Sequence, residues 1–365
     1  MPNNTLNLDE NERLSVNYLN RQLSNARVFG YSNASIGEWH DIGEEELSQH
    51  IKNQQLDHTF SEKCVLVGQS INIETLQKIA HGIFESAQYI VVSAHHLHGE
   101  FSKQAILLEL FHATSENPGS QSSPQRPNKL VSNTALLALA QQYFLDCFAV
   151  TNTQLSTPGL IVMDMDSTII NMECIDEIAA LVGVEDKVSA LTERAMQGEL
   201  DFNQSLLARL SCLTGIKLVE LEKLKSRLPV NPGFAITMRY LQNNGWITCI
   251  ASGGFTYFAD YLKDTFELTY AYSNVLSIDQ GVLTGNVEGE IVNAQMKRQI
   301  LVDKCQQHNI KAHQSIAIGD GANDLLMMQE AALGVAYKAK PKVQLAANAN
   351  IHYCGFEGLL YCLQP

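Results

Sequence analysis

Apolar and polar positions divide the chain into two differently patterned parts. Residues 1–60 are polar, with helical spacing only between Leu14 and Leu23. Cys64 to Val67 predicts a short strand. Asn72 to Gln88 predicts a helix, because Ile73, Leu76, Ile79, Ile83 and Phe84 recur at helical spacing. Tyr89 to Ser93 is a β-branched strand, and Ala105 to Phe111 suits a strand or a short helix. Thr114 to Asn128 is a break rich in Ser, Pro, Gly, Asn and Gln, followed by a helix at Thr134 to Tyr143 and a strand at Phe148 to Thr151. This order of elements predicts a small α+β module of ferredoxin-like type.

After a second break at 152–159 the pattern changes. Strands are expected at 160–164, 247–251, 315–319 and 333–336. Helices are expected within 173–226 and at 232–244, 255–263, 294–308 and 322–331, with a hairpin-like stretch after the 255–263 helix. Strands alternating with helices predict a doubly wound parallel sheet. In such sheets ligands bind at the carboxyl ends of the strands.

Composition narrows the function classes. The chain has 365 residues, so at roughly 100–200 residues per domain two or three domains are expected. With 45% hydrophobic and 18% charged residues it can bury a core. A net charge of −14 gives no long-range attraction for nucleic acid or anionic lipid. No apolar run approaches the roughly 18 residues of a membrane span. The polar start MPNNTLNLDENERLS has neither a basic nor an apolar signal region, so a soluble cytoplasmic protein is expected. The eight cysteines include no C-x-x-C pair and suit buried reduced thiols. His95, His96 and His98 cluster without a carboxylate or Cys partner at metal-site spacing, which favours a strand-end turn over a metal site.

The chemistry lies where the strands end. Leu160 to Met163 runs into Asp164-Met165-Asp166-Ser167-Thr168, so two carboxylates share one side of an extended segment. Like charges that close call for a cation or a shared proton, and Mg²⁺ takes such hard oxygen ligands. A solvated turn is the alternative. Trp246 to Ala251 ends in Ser252-Gly253-Gly254, which offers a hydroxyl and open backbone N–H groups to an anion, or else makes a plain tight turn. Ser315 to Ile318 ends in Gly319-Asp320-Gly321-Ala322-Asn323-Asp324, an acidic loop suited to a metal. Lys297 sits on a helix between them.

Together these motifs resemble the haloacid dehalogenase superfamily of phosphotransferases, and within it the phosphoserine phosphatases. The closer likeness rests on Met163 to Thr168, Glu173 to Glu177, Glu193 to Met196, Gly198 to Phe202, Ala251 to Phe255 and Gly319 to Leu325. The resemblance implies a phosphatase domain over 156–365 with a helical cap at about 172–226, and a module at 1–155 that is ACT-like and regulatory only by analogy. It implies Asp164 as nucleophile and Asp166 as general acid and base. It also implies Mg²⁺ held by Asp164, the backbone carbonyl of Asp166 and Asp320, with Asn323 and Asp324 orienting that shell. Ser252, Gly253 and Lys297 would hold the phosphoryl oxygens, and Asn323 is grouped with these binding residues. Glu173 would meet a substrate ammonium and Arg209 a substrate carboxylate, with Met172, Met196 and Phe202 walling the pocket. The implied reaction is hydrolysis of O-phospho-L-serine, the last step of L-serine biosynthesis. Other small phosphomonoesters, an acceptor other than water, and an amino-acid-sensing role for the N-terminal module are the alternatives. An ACT-like module would favour a homodimer.

Overall fold

The computed structural model describes residues 28–32, 39–42, 62–83, 89–111 and 132–365. The expected Leu14 to Leu23 helix and the Thr114 to Asn128 break lie outside these residues. The chain forms two compact units. One comprises Met1–Thr151, His352–Cys354 and Leu360–Pro365, and the other Asn152–Ile351 and Gly355–Leu359.

In the first unit the strands are β1 (Val28–Ser32), β2 (Trp39–Ile42), β3 (Glu62–Gly68), β4 (Tyr89–Ala94), β5 (Gln104–Phe111) and β6 (Asp146–Ala149). The helices are α1 (Ile73–Ile83) and α2 (Asn133–Tyr143). The sheet order is β2-β1-β4-β5-β3-β6, and every pairing is antiparallel. From β3 onward this is the β-α-β-β-α-β ferredoxin-like arrangement. The segment that suited strand or helix is the strand β5. It pairs on both sides, with β3 and β4, and buries Ala105, Ile106 and Leu108. The side chains of α1 and α2 close the core over β3 through Ile73, Leu76, Ile79, Leu136 and Ala140.

Strand β6 begins two residues earlier than the apolar pattern predicts, at the fully buried Asp146. Its carboxylate accepts N–H bonds from His352 (2.8 Å), Tyr353 (3.1 and 3.2 Å) and Cys354 (2.7 Å). A buried carboxylate needs such partners, and here they come from more than 200 residues along the chain.

The histidine cluster is a turn. His95 Nδ1 accepts the Leu97 N–H at 3.2 Å, and His98 Nδ1 lies 3.0 Å from the Ala105 carbonyl oxygen. All eight cysteines are free thiols. Among the described residues, no helix is long and apolar enough to cross a membrane.

The second unit holds β7 (Leu160–Met163), β8 (Ile247–Phe255), β9 (Tyr270–Asp279), β10 (Val282–Glu288), β11 (Ser315–Gly319), β12 (Leu333–Tyr337) and β13 (Ala349–Ile351). Their order is β10-β9-β8-β7-β11-β12-β13. All neighbours are parallel except the β9–β10 hairpin. β7 is buried along its whole length, which is why it reads as an unbroken apolar run. Between β7 and β8 come four cap helices, α3 (Cys174–Val182), α4 (Glu185–Met196), α5 (Phe202–Ser211) and α6 (Leu218–Lys225), and then α7 (Phe234–Asn243). Asp201 starts α5 with a capping box. Its side chain accepts the Gln204 N–H at 2.8 Å, and Gln204 Oε1 accepts the Asp201 N–H at 3.1 Å. The remaining helices are α8 (Thr256–Thr265), α9 (Ala294–Gln307), α10 (Leu325–Glu330) and α11 (Pro341–Ala346).

Two boundaries that shape the cleft differ from the expected ones. β8 runs on through Ser252-Gly253-Gly254 to Phe255, which pairs with Asn274 after a register irregularity. The Gly pair therefore lies inside an irregular strand and not in a tight turn. The helix expected over 322–331 splits into a 3₁₀ turn at Ala322–Asp324 and α10. Asp324 Oδ2 turns back to accept the Gly321 N–H at 3.0 Å, which tightens that turn.

His95 predicts that the first unit loses stability in acid. Burial, then the charges of His96 and His98, lower its pKa from 6.5 to about 3. Below 6.5 the unfolded chain takes up a proton that the folded unit refuses, so stability is lost as pH falls from 6.5 toward 3. The urea midpoint of the full chain should fall between about pH 7 and about pH 5, and His95→Gln should flatten that fall. Equal slopes in the two proteins would show that His95 does not drive it.

Candidate active site

The register of three adjacent strands brings the motifs together. Met163 of β7 pairs with Ile250 of β8 and with Ile318 of β11. The Asp164 N–H continues the ladder to the Ile318 carbonyl at 3.0 Å. Asp164, Ser252 and Asp320 therefore emerge side by side at the carboxyl ends of three central strands.

Below them lies Lys297, fully buried in the first turn of α9. Its Nζ is 2.9 Å from Asp164 Oδ2 and 2.7 Å from Asp324 Oδ1. A helix dipole disfavours a cation at that end, and burial disfavours it further. Burial pulls the ammonium down, yet Asp164 and Asp324 outweigh it and hold the pKa above the ordinary value. Asp164 Oδ1 accepts the Met165 N–H at 2.7 Å, so both carboxylate oxygens are oriented.

The carboxylate oxygens of Asp164, Asp320 and Asp324 lie within 4.8 Å of one another. Three carboxylates against one ammonium leave negative charge to be neutralised. Burial, with Asp164 and Glu173, pushes Asp320 up to about 7. Burial and Asp164 also push Asp324 upward against the pull of Lys297. A proton or a hard divalent cation would relieve this repulsion, and the all-oxygen donor set fits Mg²⁺.

Asp166 is different. Burial first, then Glu173 and Asp164, holds its carboxyl well above the usual range. Its Oδ1 is buried with no hydrogen-bond partner among the described residues. A Cβ at Gly254 would stand 3.0 Å from Asp166 Oδ2, so the glycine makes room for that carboxyl. The Ser252 hydroxyl accepts the Gly254 N–H at 3.0 Å, leaving its own O–H to donate. Asn274 Nδ2 donates to the Gly253 carbonyl at 2.8 Å, and its Oδ1 accepts the Val292 N–H at 2.9 Å.

Above this floor is a cavity of about 510 Å³. Asp164, Asp166, Ser252, Gly253, Asp320 and Asn323 line its core side. Glu173 and Arg209 line it from the cap. Glu173 accepts the Ser167 hydroxyl at 2.7 Å. Desolvation raises its carboxyl, with Asp164 and Asp176 adding to the shift and Ser167 opposing it. Arg209 is half-buried. Burial lowers its guanidinium while Asp176 and Glu173 pull it back up. An anion-seeking and a cation-seeking group thus face one space.

A family model described as haloacid dehalogenase-like hydrolase matches residues 158–332. A phosphoserine phosphatase of Vibrio cholerae serotype O1 is 52% identical over 209 residues, taking in 57% of this chain and 64% of that relative. One from Haemophilus influenzae is 47% identical over 246 residues, or 64% of this chain and 78% of the relative. The crystal structure of a probable phosphoserine phosphatase from Vibrio cholerae, unliganded, superposes with a TM-score of 0.66 at 37% identity. It covers 82% of this chain and 86% of the other. The chain belongs to the phosphoserine phosphatase family of haloacid dehalogenase-like hydrolases.

In this phosphoserine phosphatase family member, Asp164, Asp166, Glu173, Arg209, Ser252, Gly253, Asp320 and Asn323 all line this cavity, while Lys297 and Asp324 pair beneath it. The third carboxylate of the acidic cluster is Asp324, which the motif reading expected to orient the metal shell. The apolar wall comes from Ile175, Leu200, Phe202 and Leu206. Met172 does not line the cavity, and the Met196 side chain is outside the described residues. Sequence reasoning missed Lys340, an exposed cavity residue whose charge opposes the upward shifts of Glu173 and Asp320. It follows β12 in Tyr337-Lys338-Ala339-Lys340-Pro341, so inspecting the end of the fourth strand as closely as the other three would have found it.

Lys297→Met would leave Asp164 and Asp324 facing each other without a cation. Removing one partner of such a buried set should cost about 3–5 kcal/mol in urea unfolding. A loss under about 1 kcal/mol, the scale of an exposed pair, would mean the charges are solvated and not held as described.

Proposed function

We propose that the chain is a Mg²⁺-dependent phosphatase that hydrolyses O-phospho-L-serine to L-serine and phosphate. One observation carries this reading: a single cavity has the Asp164–Asp166 pair at its floor and Glu173 with Arg209 at its cap side.

The chemistry follows from the residues. Asp164, oriented by Lys297 and the Met165 N–H, attacks phosphorus and forms an aspartyl-phosphate. Asp166 is held protonated by its surroundings and gives its proton to the departing serine oxygen. It then takes a proton from the water that cleaves the acyl-phosphate. The Ser252 hydroxyl and the Gly253 N–H bind non-bridging oxygens, and the positive charge of Lys297 favours negative charge building at the floor. Asp164, Asp320 and the Asp166 backbone carbonyl would hold Mg²⁺, with Asn323 and Asp324 orienting that shell. When bound, the ion supplies neutralisation between an anionic nucleophile and an anionic phosphate. At the cap, Glu173 takes the substrate ammonium and Arg209 its carboxylate, the guanidinium fork suiting a planar anion.

In this reading the reaction is the last step of L-serine biosynthesis and takes place in the cytoplasm. The phosphatase domain spans 156–365, and the module at 1–155 is an ACT-like regulatory domain that supports a homodimer. The ferredoxin-like order of β3 to β6 is consistent with that assignment.

Phosphate release from O-phospho-L-serine should require Mg²⁺, stop with EDTA, and fall by at least roughly 10³-fold in Asp164→Asn. Turnover of p-nitrophenyl phosphate alone would overturn the substrate assignment while keeping the chemistry. Arg209→Ala should raise KM for phosphoserine by about 10- to 100-fold, the worth of a charge-assisted contact, and leave p-nitrophenyl phosphate nearly unchanged. Equal losses on both would remove the carboxylate role.

A further inference from the structure

We infer that the β9–β10 hairpin is a spacer that fixes the distance between the phosphate end and the carboxylate end of the cleft, with Asn274 and Gly285 as its positioning residues. The inference rests on the phosphoserine reading and specifies how substrate length is selected.

The hairpin grips both ends. At the floor, the buried Asn274 of β9 holds the Gly253 carbonyl at 2.8 Å and the Val292 N–H at 2.9 Å, fixing the Ser252-Gly253 segment. At the cap, β10 pairs with the link between α5 and α6. The Gly215 N–H donates to the Leu283 carbonyl and the Leu283 N–H to the Ile216 carbonyl, both at 2.8 Å. The Leu218 N–H donates to the Gly281 carbonyl at 3.0 Å. Lys217 and Val282 form an antiparallel bridge. The cap link is in effect one more short strand on this sheet edge.

Gly285 makes the closest approach. The register of the hairpin shifts between Leu283 and Val287, and within that bulge Gly285 has φ +81°. A Cβ there would stand 2.2 Å from Thr214 Oγ1 and 3.2 Å from both the Leu210 carbonyl oxygen and Ser211 Cα. Leu210 and Ser211 belong to the end of α5, the helix that carries Arg209, and Thr214 to the turn that follows it. At the other end of α5, Phe202 packs on Gly253, where a Cβ would meet its ring at 2.9 Å. One helix is thus seated between the anion segment and the hairpin, and its position sets how far Arg209 stands from Ser252. A serine phosphate can reach only a limited span from phosphorus to carboxylate, so a displacement of about 1 Å should matter as much as a lost contact.

The test compares wild type, Gly285→Ala and Leu218→Pro on O-phospho-L-serine, O-phospho-L-homoserine and p-nitrophenyl phosphate. Gly285→Ala adds a methyl group against α5. Leu218→Pro deletes the N–H that bonds Gly281. It suits the backbone, because residue 218 is the first of α6 and Lys217 before it is already extended. In both variants KM for phosphoserine should rise, by about tenfold or more in Gly285→Ala. The kcat/KM ratio of the homoserine to the serine ester should rise, and p-nitrophenyl phosphate should stay within about twofold. Thr214→Ala added to Gly285→Ala removes the nearest clash and should recover part of the phosphoserine KM. If Gly285→Ala does not fold, Leu218→Pro decides. Equal losses on all three substrates, or an unchanged phosphoserine KM, in folded protein would overturn the spacer. A wild type that turns over only p-nitrophenyl phosphate would overturn the substrate reading, and the spacer with it.

Discussion

The acidic floor of the cavity depends on the buried ammonium of Lys297 between Asp164 and Asp324. Burying one charge costs several kcal/mol even after relaxation. Asp164 and Asp324, both in contact with the ammonium, oppose that cost and hold the lysine charged. The two carboxylates are therefore what makes a lysine tolerable in the first turn of α9. The same two bonds tie the end of β7, the loop after β11 and α9 into one rigid floor.

That floor creates the next demand. Asp320 joins the cluster with only the exposed Lys340 and the more distant charge of Lys297 to oppose burial, and its carboxyl is pushed up to about 7. Asp166 lies nearby with an oxygen that nothing in the described residues satisfies. Such groups are stable only in the presence of something the cleft is built to receive: a cation at the acidic cluster and a proton on Asp166. The crowding of negative charge at this floor and its chemistry have the same electrostatic cause.

The other end of the cleft is built on different terms. Glu173 and Arg209 sit on a helical insert whose place is set by backbone contacts to the β9–β10 hairpin and by Phe202 against Gly253. Charge organises the floor, and steric fit with main-chain hydrogen bonds organises the cap. The proposed substrate, with an anion at each end and a cation between them, answers both.

Much of this was legible in the sequence because it is local. The apolar run Leu160 to Met163 followed by Asp164 and Asp166, and the Gly-Asp loop after Ile318, mark strands that end in chemistry. Alternating strands and helices imply a sheet that gathers such ends at one edge. What the sequence alone could not decide depends on residues far apart in the chain. Asp146 starts β6 only because backbone N–H groups from His352 to Cys354 surround it. The Ser252-Gly253-Gly254 segment is an irregular strand, and not a turn, because Phe255 finds Asn274 on β9. A lysine on a helix is ordinarily solvated, and only the tertiary fold reveals that Lys297 meets two carboxylates. Local pattern determined which elements form. Hydrogen bonds and charges in contact across the fold decided where they begin and end and which of their polar groups are held ready to react. Such partners come from long-range pairing, which no periodicity encodes.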